Sequence, residues 1–448
     1  MPSLKQFAVA AASTVALTLV LAQEALAQPV GEVEFARGAG FAQAPGQSPR
    51  ILGKGLPLVE GDRLTTSDGA AAIVKMTDGT RMTVRPNSEL VIQQFQYKEA
   101  ASTNSMVLNL FRGGLRAITG LISKNSPNAA RMRTTTATIG IRGTDFDARL
   151  CARDCGAESS KVVEKAHANS VQASAKLVNA QGEINALDGA GQRRRLVDGG
   201  SVYPGETVET GRGARGVLAF RDDSRLTLGA TTRFRVDNFV FDDKNPAEGR
   251  FLVSLLRGSM RALTGLIGKS NTRNVGFATS TATIGIRGTG LDMDCASETE
   301  CSFFTWLGTI EVTPNGQTAM QLLEAGNDLV VTPTGVRPMG APTLQELPRP
   351  DTVPVDTKQL FETTAISDEE PGLYVFVRDG HIEITSDRET VHLGRGETGF
   401  ARENGDVLRP SLMPLFQEFD KMPMPNSQNP MLVSLLGDLG LRATNQCR

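Results

Sequence analysis

The sequence predicts an all-β protein built on two tandem copies of one module, and three observations carry that reading. There is an internal repeat, a hairpin pattern recurs inside each copy, and the 46 glycines and 22 prolines suit short strands and many turns.

The repeat comes first, because self-similarity decides architecture before any motif does. Phe111 to Thr144 reads FRGGLRAITGLISKNSPNAARMRTTTATIGIRGT, and Leu256 to Thr289 reads LRGSMRALTGLIGKSNTRNVGFATSTATIGIRGT. The offset is 145 without a gap, and 19 of the 34 positions are identical. Upstream the offset becomes 144, so that Val74, Met76, Met82 and Val84 align with Leu218, Phe220, Leu226 and Leu228. Apolar residues at period two on either side of Asp78-Gly79 or Asp222-Asp223 specify a hairpin with one buried face. Asp-Gly takes positive φ more readily than Asp-Asp, so the second turn is expected to be longer.

Ahead of the repeats, Lys5, the uncharged run Phe7 to Ala22 and the small-residue site Ala25-Leu26-Ala27 read as a cleavable leader over 1–27. The run falls short of the roughly 20 apolar residues that span a bilayer. Export is the expectation, to the periplasm or beyond the cell. The remaining chain divides into module 1 (28–150), module 2 (171–332), a proline-rich linker (333–370), a partial third β module (371–410) and a tail (411–448). The third module rests on the likeness of Thr305 to Val312 to Val375 to Ile384. In the tail, Leu412, Met413, Leu415, Phe416 and Phe419 predict a short docking helix with Pro414 in its first turn. The apolar stretch Met431 to Leu441 is interrupted by Gly437, Asp438 and Gly440 and is too short to span a membrane.

In each copy a Gly-Asp or Gly-Glu turn (Gly61-Asp62, Gly205-Glu206) precedes the hairpin, followed by an Arg-Gly turn and the ending Ile-Gly-Ile-Arg-Gly-Thr. This order resembles the FecR domain, the periplasmic module of iron-transport regulators, over Val30 to Phe146 and Lys176 to Leu291, with the tail of the domain continuing through Val331. The resemblance implies an all-β fold, solenoid-like or sandwich-like, without catalytic activity of its own. The membrane-bound regulators carry a cytoplasmic sigma-factor segment and a transmembrane helix where this chain has a leader. The expected carry-over is therefore the protein-binding module, not sigma-factor control.

Motifs for other chemistry are missing or out of context. Gly211-Gly213-Gly216 and Gly394-Gly396-Gly399 fit Gly-x-Gly-x-x-Gly but lack the strand and helix that a dinucleotide site needs, and they read as turns. His167, His381 and His392 are too scattered for a metal or catalytic site; His381 and His392 read as a surface pair across a hairpin. No cofactor is expected, and with aromatics at 5% a nucleic-acid partner is not expected either. Cys151 and Cys155, directly after the module 1 bounds, and Cys295 and Cys301 in module 2 follow the repeat at matching places, which reads as one local disulfide per repeat. Zinc also suits four cysteines, but the pairs sit in separate modules. Cys447 is left over, free or intermolecular.

Charge gives the functional hint. The first repeat block carries six basic residues and the second five, with no acid in either, in a chain of net charge −2. Arg112, Arg116, Arg257 and Arg261 are the candidate binding residues, and Arg142 and Arg287 are assigned structural roles. The leading expectation is an exported, non-enzymatic module for a protein–protein or cell-envelope interaction, its partner an envelope protein or an anionic cell-surface polymer. The alternatives are an enzyme acting on envelope polysaccharide, which needs facing carboxylates in a pocket, and a structural surface protein or adhesin.

Overall fold

The computed structural model describes residues 28–427 and 430, apart from 100–102, 126–128, 170, 172, 190, 192, 341–343 and 345. Residues 1–27, where a leader is expected, the stretch Met431 to Leu441 and Cys447 lie outside the described residues. The chain is dominated by strands, in two open sheets of 15 strands each.

Both sheets follow one plan. In the first, Ala71–Met76 and Arg81–Val84 form the expected hairpin, with Val74 opposite Met82. In the second, Arg215–Phe220 and Arg225–Leu228 repeat it, with Leu218 opposite Leu226. The second turn is not longer, as expected from Asp-Asp, because Asp223 itself takes φ +66° where Gly79 takes +87°. Asp78 and Asp222 are buried within these turns, and their carboxylates accept hydrogen bonds from Thr80 and Ser224.

The Arg-Gly steps are not turns. They lie inside 14-residue strands, Ser105–Ile118 and Arg250–Leu263, where the register shifts at Phe111 and Leu256 and the chain then takes positive φ at Gly113 (+73°) and Gly258 (+85°). The following strands, Thr138–Cys151 and Ala282–Ser297, bend likewise at Gly143 and Gly288, and their partners bend at Gly380 and Gly308. A Cβ at Gly380 would meet the Gly143 carbonyl at 2.3 Å, so glycine is needed there for close approach as well as for positive φ. Adjacent strands bending at one line fold each sheet over its own apolar face. Each fold encloses one core, built on Leu115, Ile139 and Phe146 in the first and on Met260, Ile284 and Leu291 in the second.

The segment expected as a partial third module is present as strands, but they close the first sheet. Gly372–Thr385 pairs along Thr138–Cys151, with Ile139 opposite Ile384 and Leu150 opposite Leu373. In module 2 the same place is taken by Glu300–Pro314, which follows directly from Ala282–Ser297 through a hairpin. Module 2 is therefore threaded between the start and the end of module 1's sheet. The proline-rich segment is packed as well: Leu347, Pro350 and Val353 are buried. In the tail, Leu415–Glu418 is the short helix expected, with Pro414 at its N-cap and Phe416 edge-on to Tyr374.

Candidate functional site

The four candidate arginines separate onto two faces. Arg116 and Arg261 are buried, contrary to expectation: Leu115 and Ala117, or Met260 and Ala262, face the core beside them, and the arginines point to the outer side of the sheet, where downstream chain covers them. Arg116 faces Asp147 across the ladder and bridges Asp145 at 3.2 Å. Arg261 faces Asp292 and binds it at 2.9 Å. Asp147 is held from its other side by Arg378 Nε at 2.7 Å, and Asp292 by Trp306 Nε1 at 2.9 Å. Burial pushes both carboxyls above the ordinary aspartate value against the pull of these cations.

A strap of downstream chain covers this face in each module. Over module 2, the carbonyls of Leu344 and Leu347 accept hydrogen bonds from Arg261, and those of Val353 and Val355 from Arg225. Arg349 in the same strap stacks on the Trp306 ring, 4.0 Å from its centroid. Over module 1, Asp420 pairs with Arg85 and the Pro423 carbonyl accepts from Thr83. These arginines are committed to internal partners.

Arg112 and Arg257 stand on the opposite, exposed face, at the ends of equivalent rows. In module 1 the strand pairing lines up Ile51, Phe41, Thr65, Glu89 and Arg112. In module 2 the row is Arg195, Asn185, Glu209, Arg233 and Arg257. Arg193 and Arg235 flank the second row. Glu209 takes Arg193 at 2.7 Å and Arg233 at 3.3 Å, while Arg257 Nε donates to the Thr231 carbonyl at 3.3 Å. A groove of about 690 Å³ opens beside the row, lined by Glu209, Arg233, Ser254, Leu256, Arg257 and Ser280 among others. The module 1 row instead exposes Ile51 and Phe41.

Arg193, Arg195, Arg233 and Arg235 were not among the sequence candidates. Their signal was arginine at every second position in Arg233-Phe234-Arg235 and Arg193-Arg194-Arg195, upstream of the repeat block in which charge was counted. Arg142 and Arg287 bridge Glu383 and Glu311 across the ladder.

The cysteines lie at bonding distance in both expected pairs, Cys151 with Cys155 and Cys295 with Cys301. The second pair sits directly opposite across a ladder. Contrary to the surface reading, His381 is buried, its Nε2 lies 3.2 Å from His392 Nδ1, and burial holds its pKa well below the ordinary histidine value. Among the described residues no cluster of three or more His, Cys, Asp or Glu has metal-binding geometry, and no helix is long and apolar enough to cross a membrane.

No curated protein matches this chain. Among solved structures, a candidate anti-sigma factor from Parabacteroides distasonis ATCC 8503, seen in two crystal structures at 1.65 and 2.50 Å, is 16% identical with a TM-score of 0.24. The match covers 30% of this chain and 59% of that one. The FecR protein family model matches residues 62–169 and 206–311, one stretch in each sheet and together just under half of the chain. The protein thus carries two tandem FecR regions.

Proposed function

We propose that this is an exported, non-enzymatic interaction protein of regulatory type, whose module 2 binds an acidic envelope protein through its exposed arginine row. The observation that carries the reading is the row from Arg195 to Arg257 beside an open groove, on a face that no strap covers among the described residues. Each module's FecR stretch supports a protein as partner rather than a polymer. One cysteine pair per module at bonding distance supports an oxidising compartment. An enzyme acting on polysaccharide needs two carboxylates open to substrate; of the carboxyls that burial raises in the repeated ladders, Asp147 and Asp292 are ion-paired under the straps, and Asp294 has an arginine, Arg149, at its place in module 1.

The test is site-specific photo-crosslinking in the producing cell, with the probe at Ser280 on the module 2 groove or at Thr65 in the module 1 row. Expected is one crosslinked protein from Ser280, lost when Arg233 and Arg257 are both changed to Glu. Equal crosslinking from Thr65, or crosslinking that survives the double charge reversal, contradicts the assignment.

A further inference from the structure

Module 2 docks on module 1 through surfaces that the repeat builds twice. One is the turn at Gly199, which has φ +76° and donates its N–H to the Leu177 carbonyl at 2.7 Å. This turn is filled by His392, whose ring lies 2.2 Å from where a Gly199 Cβ would stand. The other is the edge strand that carries His392, Thr390–Leu393, which pairs along Ile382–Thr385. Behind the contact, Lys176 and Arg409 both reach Glu397 at 3.3 Å, and Tyr203 donates to the Arg395 carbonyl at 3.1 Å.

Each surface has a twin in which no described residue is seated as His392 is at Gly199. Gly55 precedes Gly199 by 144 residues, has φ +85° and donates to the Val33 carbonyl at 2.8 Å, yet a Cβ there meets nothing within 4 Å. A groove of about 370 Å³ opens at this turn, lined by Glu32, Phe35, Lys54 and Ile73 among others. At the far end of module 2, Gln321–Glu324 pairs along Thr309–Val312 as Thr390–Leu393 does in module 1. Its residue in the place of His392 is Leu322, 54% exposed, beside Met320 at 50%. The chain thus ends in one half of its own junction at each side.

We propose that the protein associates head to tail, the Gln321–Glu324 edge of one copy seating on the Gly55 turn of the next. Such a contact is heterologous: each copy leaves one surface of each kind free, so association continues beyond a dimer. It is weaker than the junction within the chain, because Lys176 and Glu397 are replaced by Glu32 and Asn327, leaving the apolar pair Leu322 and Met320 and a strand edge to hold it.

Sedimentation velocity of the purified chain over a concentration series tests this. The native protein is expected to form dimers and longer species as concentration rises. Leu322→Glu at one surface and exposed Pro57→Glu at the other are each expected to weaken association roughly tenfold or more. Mixed together, the two variants keep one intact surface each and are expected to form dimers and nothing larger. A native monomer at every concentration overturns the proposal, as does association untouched by both variants. Association that appears only when residues 431–448 are removed overturns it in favour of the chain's own tail, since Pro425 and Ser427 already reach the groove rim.

Discussion

The two modules share one backbone plan and differ in what they lay on it. At five equivalent positions of the exposed face, module 1 carries Ile51, Phe41, Thr65, Glu89 and Arg112, and module 2 carries Arg195, Asn185, Glu209, Arg233 and Arg257. The same ladder therefore presents an apolar end in one copy and a cationic row in the other. On the covered face the chemistry is kept: an arginine faces an aspartate at the same register in both, under a strap in both. A duplicated fold retains what its core requires and diverges where solvent permits.

The largest expected effect separates the two module ends. Glu397 is fully buried, and the Lys176 and Arg409 cations hold its pKa below the ordinary value although burial opposes them. Glu397→Ala strands those cations and is expected to cost about 3–5 kcal/mol in chemical denaturation. Asn327→Ala, at the matching exposed position in module 2, is expected to stay within about 0.5 kcal/mol. Equal effects would remove the distinction between a filled and an open end.

Next come the disulfides. Replacing Cys295 and Cys301 with Ala is expected to lower stability by about 2 kcal/mol, from the loop entropy that so short a closure restricts. Mass spectrometry of unreduced peptides should show both bonds, and free thiols at all four cysteines would contradict the pairing.

An effect confined to acid pH follows from the histidines at the junction. Burial lowers His392 to about 4, with Lys176, Arg142 and Arg409 adding to the shift and Glu383 opposing it. The folded protein keeps this ring neutral where the unfolded chain protonates it near 6.5. The unfolded state then binds more protons, so this group's contribution to stability falls as pH drops from about 6.5 towards 4. Melting temperature should decline over that window, and His392→Gln should flatten the decline. An unchanged slope in the variant would assign the acid sensitivity to other groups.

Much of this was legible in the chain. The offsets, the hairpins, the cysteine pairs and the tail helix are local, and local patterns record them. What the sequence did not yield is pairing across distance. Val375 to Ile384 visibly resembles Thr305 to Val312, but nothing within either stretch says that the first belongs beside Ile139, more than 200 residues earlier. The clue was that module 1 runs out of strands after Cys151 where module 2 continues. Arg116 and Arg261 were misplaced for a physical reason too. They point away from the core, but chain more than 80 residues downstream covers that outer face, and no count of charges along the block reveals a cover from so far away.

The account's central claim is that the cationic row of module 2 is the recognition surface. Titration with fluorescent poly-L-glutamate, an acidic polypeptide of defined chemistry, tests it most directly when native protein, Arg233→Glu/Arg257→Glu and Arg112→Glu are compared at about 0.1 M and about 1 M salt. The screening length shrinks from about 10 Å to about 3 Å between these conditions. The predicted result is binding by the native protein and by the Arg112 variant at low salt, loss in the double variant, and loss for all three at high salt. Equal binding by the double variant at low salt, with folding intact in all three proteins, would contradict the claim.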